Sequence, residues 1–414
     1  MTSTPSPNVV SPAANAFVGR QAIFDRGVNV VGYELLFRGS ASDKSAVFDD
    51  RDDASTRVIL NTFLDIGLEQ IVGEVPAFLN LTRNFFLSAQ NMPFPRDRVV
   101  LEILEGEQVD APLVESVRAY AASGYRIALD DFVYDESMEP LLEVADIVKL
   151  DVLDLGADEL IRHVARLKHY PVTLLAEKVE TPEQYEFCKK LGFDLFQGYF
   201  LCRPNVVQGH RLPANRLSTL RLLAKLQDPD VQMDSLERVI REDLSLSYKL
   251  LRLINSAFYG LPQKVESIRQ TLVLLGVHQI RSWVSLLTLS QLQDKPDALM
   301  TTAMVRARMC ENLASRAEMM NSDVYFTVGL CSTLDALLDM SMEDVLESLP
   351  LSDELRAGLV EHGGGLGEAL DCVVAYERGE FDSVAFRGLA PEQIRGAYLD
   401  AIEWAQSAGR ELGI

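Results

Sequence analysis

Apolar residues in the first half of the chain fall into short, nearly continuous runs separated by segments with helical spacing. The runs are Val28–Phe37, Ala77–Thr82, Val99–Leu104, Arg126–Phe132, Ile147–Val152, Thr173–Val179 and Leu195–Leu201. Between them lie Ala54–Ile71, Ala111–Ser123, Glu136–Val144, Asp158–Lys168 and Pro182–Leu191, each with an apolar stripe of helical period. Runs without polar alternation suit parallel strands buried on both faces. Gly124 and Gly192 stand where a helix C-cap hands over to the next strand. Repeated β-α units of this number predict an α/β barrel, although an open doubly wound sheet carries the same pattern.

After Arg203-Pro204 strand signals nearly vanish. Asp234 or Ser235 caps a helix to about Asp243, and Ser245 starts another with the stripe Leu246, Leu250, Leu253, Ile254 and Ala257. Gly260-Leu261-Pro262 breaks it; Ser267 caps a further helix that Gly276 ends, and Val277–Ser290 follows. Helices continue through Thr302–Met319, Val324–Leu338 and Asp344–Leu349. The expected organisation is a flexible tail over 1–15, a barrel over 16–205 and an all-α helical bundle over 206–414.

Composition narrows the class. A chain of 414 residues exceeds one ordinary core, and 48% hydrophobic content describes a globular protein. The opening residues lack the basic and apolar regions of a signal peptide, and no apolar run has bilayer length. Cys188, Cys202, Cys310, Cys331 and Cys372 are scattered without a CxxC pair, which argues against a disulfide framework or a zinc site and points to a cytoplasmic home. A net charge of −22 without a local basic patch argues against nucleic-acid and membrane partners.

The informative feature is where polar residues interrupt the strands. Glu34 lies in the first run, Asn80 in the second, Glu102 in the third and Asp130-Asp131 at the end of the fourth. Lys149 and Asp151 follow in the fifth, Glu177 and Glu180 in the sixth, and Gln197 in the seventh. Any one of these reads as a solvated carboxylate or an ion-pair partner. Burying that many carboxylates without compensation is untenable, whereas a parallel barrel gathers strand ends at one face where a cation can neutralise them. Such oxygen donors suit Mg²⁺, Mn²⁺ or Ca²⁺, and adjacent aspartates can serve two ions.

Gln21-Ala22-Ile23-Phe24-Asp25, the Glu34–Arg38 run, Ala176-Glu177-Lys178-Val179-Glu180-Thr181 and Gln197-Gly198-Tyr199 together resemble the EAL family of cyclic-di-GMP phosphodiesterases. The resemblance implies a TIM-like barrel with cyclic-di-GMP as its ligand and Mg or Mn as its cofactor. It implies Glu34, Asn80, Glu102, Asp130, Asp131 and Glu180 as metal-linked, Lys149 and Glu177 in the catalytic roles, and Gln21, Arg38 and Gln197 as substrate-binding. The departures are equally specific. Glu34-Leu35-Leu36 replaces the Glu-Ala-Leu signature, and Asp130-Asp131-Phe132-Val133-Tyr134-Asp135 lacks the two glycines of the family's loop. Val and Asp reach φ > 0 only at a cost, so that loop is expected to take another shape. Lys178 replaces a glycine between two site glutamates, where it either points to the strand's other face or stands in for a metal.

In the helical half, Leu250–Gly260, Ile268-Arg269-Gln270-Thr271-Leu272 and Leu274-Leu275-Gly276 resemble the HDOD family. Gly329-Leu330-Cys331-Ser332-Thr333 stands where related hydrolases carry a His-Asp pair, so no cofactor is expected here, and a groove for a protein partner is. Asn255, Tyr259 and Arg269 read either as part of such a surface or as turn chemistry. Gly363-Gly364-Gly365 and Gly367 lack the lysine of a P-loop and read as a helix connection. The two halves in this order resemble the EAL–HDOD signalling proteins (the YuxH-like group). That resemblance implies a cytoplasmic signal-transduction regulator of the cyclic-di-GMP network, concerned with motility or attachment. A degenerate EAL barrel would sense ligand or partner and the HDOD half would act as output or scaffold. The alternative is an active Mg/Mn-dependent cyclic-di-GMP phosphodiesterase.

Overall fold

The computed structural model describes residues 17–38, 63, 66–88, 92–203, 214–228, 231–256, 259, 264–292 and 295–412. Each apolar run of the first half forms a strand, and together with one more they close a barrel in chain order. The strands are β1 (Phe17–Phe24), β2 (Val30–Arg38), β3 (Ala77–Leu81), β4 (Val99–Ile103), β5 (Arg126–Leu129), β6 (Ile147–Asp151), β7 (Thr173–Glu177) and β8 (Leu195–Gln197). β1 runs antiparallel to both β2 and β8, and the remaining neighbours are parallel. β1 escapes a reading for apolar runs because Arg20 and Gln21 divide it. It joins β2 through a turn in which Asp25 Oδ1 accepts from the backbone N–H groups of Gly27 and Asn29 at 2.8 and 2.9 Å.

Between the later strands lie α1 (Leu68–Val72), α2 (Arg83–Leu87), α3 (Ala111–Ala122), α4 (Glu139–Leu142), α5 (Val152–Leu167) and α6 (Pro182–Leu191). Their starts follow capping chemistry: Asp110 accepts from Leu113 N, and Thr181 with Gln184 forms a reciprocal capping box. Most of the helical segment expected over Ala54–Ile71 lies outside the described residues. α2 was not expected, since five residues carry too little periodicity to register.

The barrel interior is layered. Ile23, Phe78, Val100, Ala128, Ile147 and Leu175 form a small buried plug, with Leu195 packed against it. Side chains alternate along a strand, so the residue two positions on faces the same way. Above the plug those residues are Asn80, Glu102, Asp130, Lys149, Glu177 and Gln197, and Gln21 on the reversed β1. Gly32, two before Glu34, leaves room for the Phe78 ring, which a Cβ would meet at 2.7 Å. An apolar floor beneath a polar rung is what the interrupted runs encode.

The second half comprises α7 (Ala214–Gln227), α8 (Met233–Glu242), α9 (Leu244–Ile254), α10 (Ile268–Leu289), α11 (Asp297–Arg316), α12 (Ser322–Cys331), α13 (Leu334–Leu338), α14 (Met342–Glu347), α15 (Asp353–Arg356), α16 (Gly364–Glu377) and α17 (Pro391–Leu412). Gly276 breaks the helical backbone within α10 at φ 81°, as expected. The stretch Val324–Leu338 is divided by Thr333 into α12 and α13. Contrary to the expectation that no apolar segment has bilayer length, α10 meets that criterion; half of its apolar window is buried inside the helical core.

A hairpin needs no crossover helix, so the outer side of β1 is left uncovered by the barrel itself. The helical half covers it. Phe17, Leu36 and Cys202 pack against the helical core, the Phe17 and Phe381 rings stack at 5.4 Å, and Tyr376 Oη donates to Val18 O at 2.8 Å.

Candidate functional site

Lys149 is the centre of the polar rung. Its Nζ lies 3.1 Å from Glu34 Oε2, 2.9 Å from Glu102 Oε1, 2.6 Å from Asp130 Oδ1 and 2.9 Å from Glu177 Oε1. Lys149 and Glu102 have no solvent exposure. Register sets this convergence: Gln21 stands opposite Glu34, Asn80 beside Glu102 and Asp151 beside Glu177. The amides tie the ring together. Asn80 Nδ2 donates to Glu34 Oε1 at 2.8 Å, while Gln197 Nε2 donates to Glu34 Oε2 at 2.6 Å and to Gln21 Oε1 at 2.8 Å. Gly198 permits the turn after Gln197, since a Cβ there would lie 2.1 Å from Val179 O at a φ of 144°.

One ammonium cannot balance four buried carboxylates, and the protons redistribute accordingly. Burial pushes Glu102 well above the usual carboxylate range against the pull of Lys149, and it raises Glu177 to about 8. Asp130 is raised by the same desolvation. Glu34 goes the other way: burial opposes ionisation, but Lys149 and the amides of Gln197 and Asn80 outweigh it and hold the group low. Lys149 stays charged because its carboxylates overcome the cost of burial.

Glu34, Asn80, Asp130, Asp131 and Glu177 line a cavity of about 610 Å³ at the barrel mouth, together with Gln21, Arg38, Lys178 and Gln197. Lys149 and Glu102 lie beneath it. Glu180 stands apart, exposed, with its backbone N–H on Gln184 Oε1 at 2.8 Å. Lys178 faces the mouth rather than the other side of the strand: its Nζ pairs with Asp151 and lies 3.9 Å from Asp131. Both Lys178 and Asp131 adopt left-handed backbone, at φ 53° and 40°. Asp151 is thus tied to the mouth through Lys178, and its place in the fifth run was the available signal. Arg378, Gly379 and Phe381 also line the cavity; they belong to the helical half, and nothing in the sequence pattern points to them.

The loop after Asp131 is held without glycines. Phe132 N–H donates to Lys149 O at 3.0 Å, and Tyr134 N–H donates to His163 Nε2 at 3.1 Å. His163 serves this anchor and is buried.

The donor set fits a hard divalent cation. Asn80 Oδ1, Glu177 Oε2 and Gln197 Oε1 are buried without a hydrogen-bond partner, and Glu102 meets the ammonium off the hydrogen-bond direction. Orphaned oxygens in such a rung are costly unless a cation satisfies them. Among the described residues no three carboxylate, imidazole or thiol groups already stand at ligand distances from one point; the ammonium of Lys149 takes the centre.

In the helical half, Asn255 and Arg269, two of the residues weighed as a surface, make local contacts. Asn255 clamps its turn through Leu251 O, Val265 O and Val265 N, and Arg269 bridges Asp234 and Glu237 at 2.9 Å each. Gly363 is the N-cap of α16, where Gly367 packs against the His362 backbone. Cys331 lies buried in the segment without a His-Asp pair.

Residues 75–204 match the EAL domain family and residues 212–348 the HDOD domain family. The cyclic di-GMP phosphodiesterase CdgJ of Vibrio cholerae is 33% identical over 402 residues, spanning 95% of this chain and 93% of that protein. YuxH of Bacillus subtilis is also 33% identical over 402 residues, spanning 94% of this chain and 98% of its own. Among solved structures, the Bacillus subtilis YkuI protein, with an EAL domain and in complex with c-di-GMP and calcium, is 22% identical, covers 48% of this chain and 58% of its own, and has a TM-score of 0.39. With a closed eight-stranded barrel matching the EAL model, a helical half matching the HDOD model and relatives 33% identical along nearly its whole length, the chain belongs to the EAL–HDOD family that includes CdgJ and YuxH.

Proposed function

We propose that the barrel mouth binds cyclic-di-GMP with a divalent cation, Mg²⁺ or Mn²⁺, and that its occupancy is passed to the helical half as a signal. The observation that carries this reading is the convergence of Glu34, Asn80, Asp130, Asp131 and Glu177 on one cavity above a buried lysine. Glu34, Asn80 and Asp130 would hold the cation, with Glu102 supporting from below. A bound cation supplies charge neutralisation and a lowered pKa for a coordinated water. The chain's own residues do the rest: Gln197 orients Glu34, Lys149 fixes the acidic ring, and Glu177, raised to about 8, can hold a proton at neutral pH. Arg38 and Gln21 line the wall where a phosphate would lie.

Lys178 favours binding over rapid turnover. Its ammonium engages Asp151 and approaches Asp131, which removes two carboxylates from service to a second ion. The active phosphodiesterase reading is favoured by the assembled ring and by the name of CdgJ. Purified full-length chain incubated with cyclic-di-GMP and Mg²⁺ or Mn²⁺, with linear dinucleotide followed by chromatography, separates the two. Little product is expected. Turnover abolished by Glu34→Ala would establish the enzyme instead, and absence of nucleotide binding in calorimetry would reject both.

A further inference from the structure

An anionic ligand at this mouth faces an acidic floor, so its affinity depends on the cations in the wall. Among the described residues lining the cavity these are Arg38, Lys178 and Arg378. Lys178 is engaged by Asp151 and Asp131. Arg38 Nη2 is held at 2.6 Å by Asp382 Oδ1, a residue of the helical half. Arg378 also belongs to that half: it lies 5.4 Å from the centre of the Tyr199 ring and pairs loosely with Glu380 at 3.9 Å.

The segment that delivers these residues is pinned in place. Tyr199, two residues beyond Gln197, donates its hydroxyl to Glu377 O at 2.7 Å. The Glu377 carboxylate is gripped by buried Arg306 at 2.7 and 3.1 Å. Gly379, at φ 70°, lies so close to the barrel that a Cβ would meet Leu36 Cδ1 at 2.8 Å. Phe381 is buried against Phe17 and Tyr376. The turn after α16 is therefore a fixed part of the mouth, reaching Leu36 two residues before Arg38.

We infer that the helical half completes the nucleotide site: Arg378 is a phosphate-binding residue, and Asp382 restrains Arg38 until a phosphate displaces it. The inference rests on the mouth binding cyclic-di-GMP. Because one wall of the site belongs to the helical half, nucleotide binding and the seating of that half are thermodynamically linked in both directions. That gives the barrel's occupancy a direct route to the helices.

Calorimetric titration of the full chain with cyclic-di-GMP in Ca²⁺ tests it. Loss of one charge-assisted phosphate contact predicts binding at least ~10-fold weaker in Arg378→Ala. Asp382→Ala, which breaks an exposed ion pair, predicts binding about 2- to 5-fold tighter. Both side chains are substantially exposed, so both variants should fold, and thermal melts check this. In hydrogen exchange, nucleotide is expected to slow the amides of residues 378–382. Arg378→Ala binding within twofold of wild type, or unchanged exchange over 378–382, overturns the inference while leaving the nucleotide reading intact. A wild-type chain that does not bind sinks that reading first, and this inference with it.

Discussion

Replacing Lys149 by Met tests the electrostatics of the polar rung. The substitution keeps volume and an unbranched stem but removes an ammonium lying 2.6–3.1 Å from four carboxylates. At an effective dielectric of about 20, one such contact carries roughly 5 kcal/mol of Coulomb energy. Desolvation of both partners consumes much of that, and removing one member of a buried pair typically costs about 3–5 kcal/mol. For a domain of the barrel's size this lowers the melting temperature by about 6–20 °C. The deficit should shrink at pH 5, where the remaining carboxyls carry more protons. Bound Mn²⁺ should stabilise the variant by about 2.7 kcal/mol at a hundredfold excess over its dissociation constant. Differential scanning calorimetry of both chains, with and without Mn²⁺ at pH 5 and 8, reads all of this. A Lys149→Met protein that melts within 2 °C of wild type, or that ignores Mn²⁺, would refute the reasoning.

Glu177 gives the second prediction. Its native value, about 8, lies above the ordinary 4.5, so the folded state keeps a proton that the unfolded chain has released between those values. Its contribution to stability is complete below about pH 4.5 and is lost as pH rises toward 8. The metal-free protein should lose melting temperature between pH 6 and 8.5, and Glu177→Gln should flatten that slope; an unchanged slope counts against the assignment. Mn²⁺ prefers the carboxylate, so binding measured by calorimetry should strengthen with pH and release protons in wild type, with fewer released by the Gln variant. For Lys178, removing the ammonium from Asp151 and Asp131 should raise Mn²⁺ stoichiometry per chain in Lys178→Gly. Electron paramagnetic resonance should then detect paired Mn²⁺, and identical stoichiometry and spectra in both proteins would exclude an internal-cation role. The variant should also gain backbone ease at φ 53°.

Much of this site was legible because a barrel converts a sequence rhythm into a place. A polar residue two positions beyond an apolar one, repeated in run after run, becomes a polar rung over an apolar plug; Phe78 with Asn80, Val100 with Glu102 and Leu175 with Glu177 show the pairing. The direction of Lys178 was undecided, because local alternation fails at a residue of positive φ just past a strand end. β1 was hidden by its polar middle, Arg20 and Gln21: Gln21 joins the polar rung through Gln197, and Arg20 donates to Ile71 O. Glu180 reads as a site glutamate by motif, yet the chain has by then turned into the cap of α6 and left it exposed. The contribution of Arg378 and Asp382 could not be read at all: it follows from packing between halves far apart in sequence, and no periodicity records that.

The central claim is that acidic and amide side chains from separate strands share one cation at the barrel mouth. Anomalous diffraction from crystals of the full chain soaked in Mn²⁺ measures this directly. The account predicts a peak contacted by Glu34, Asn80 and Asp130, absent from crystals of Glu34→Ala. A mouth without anomalous density at saturating Mn²⁺ would contradict it.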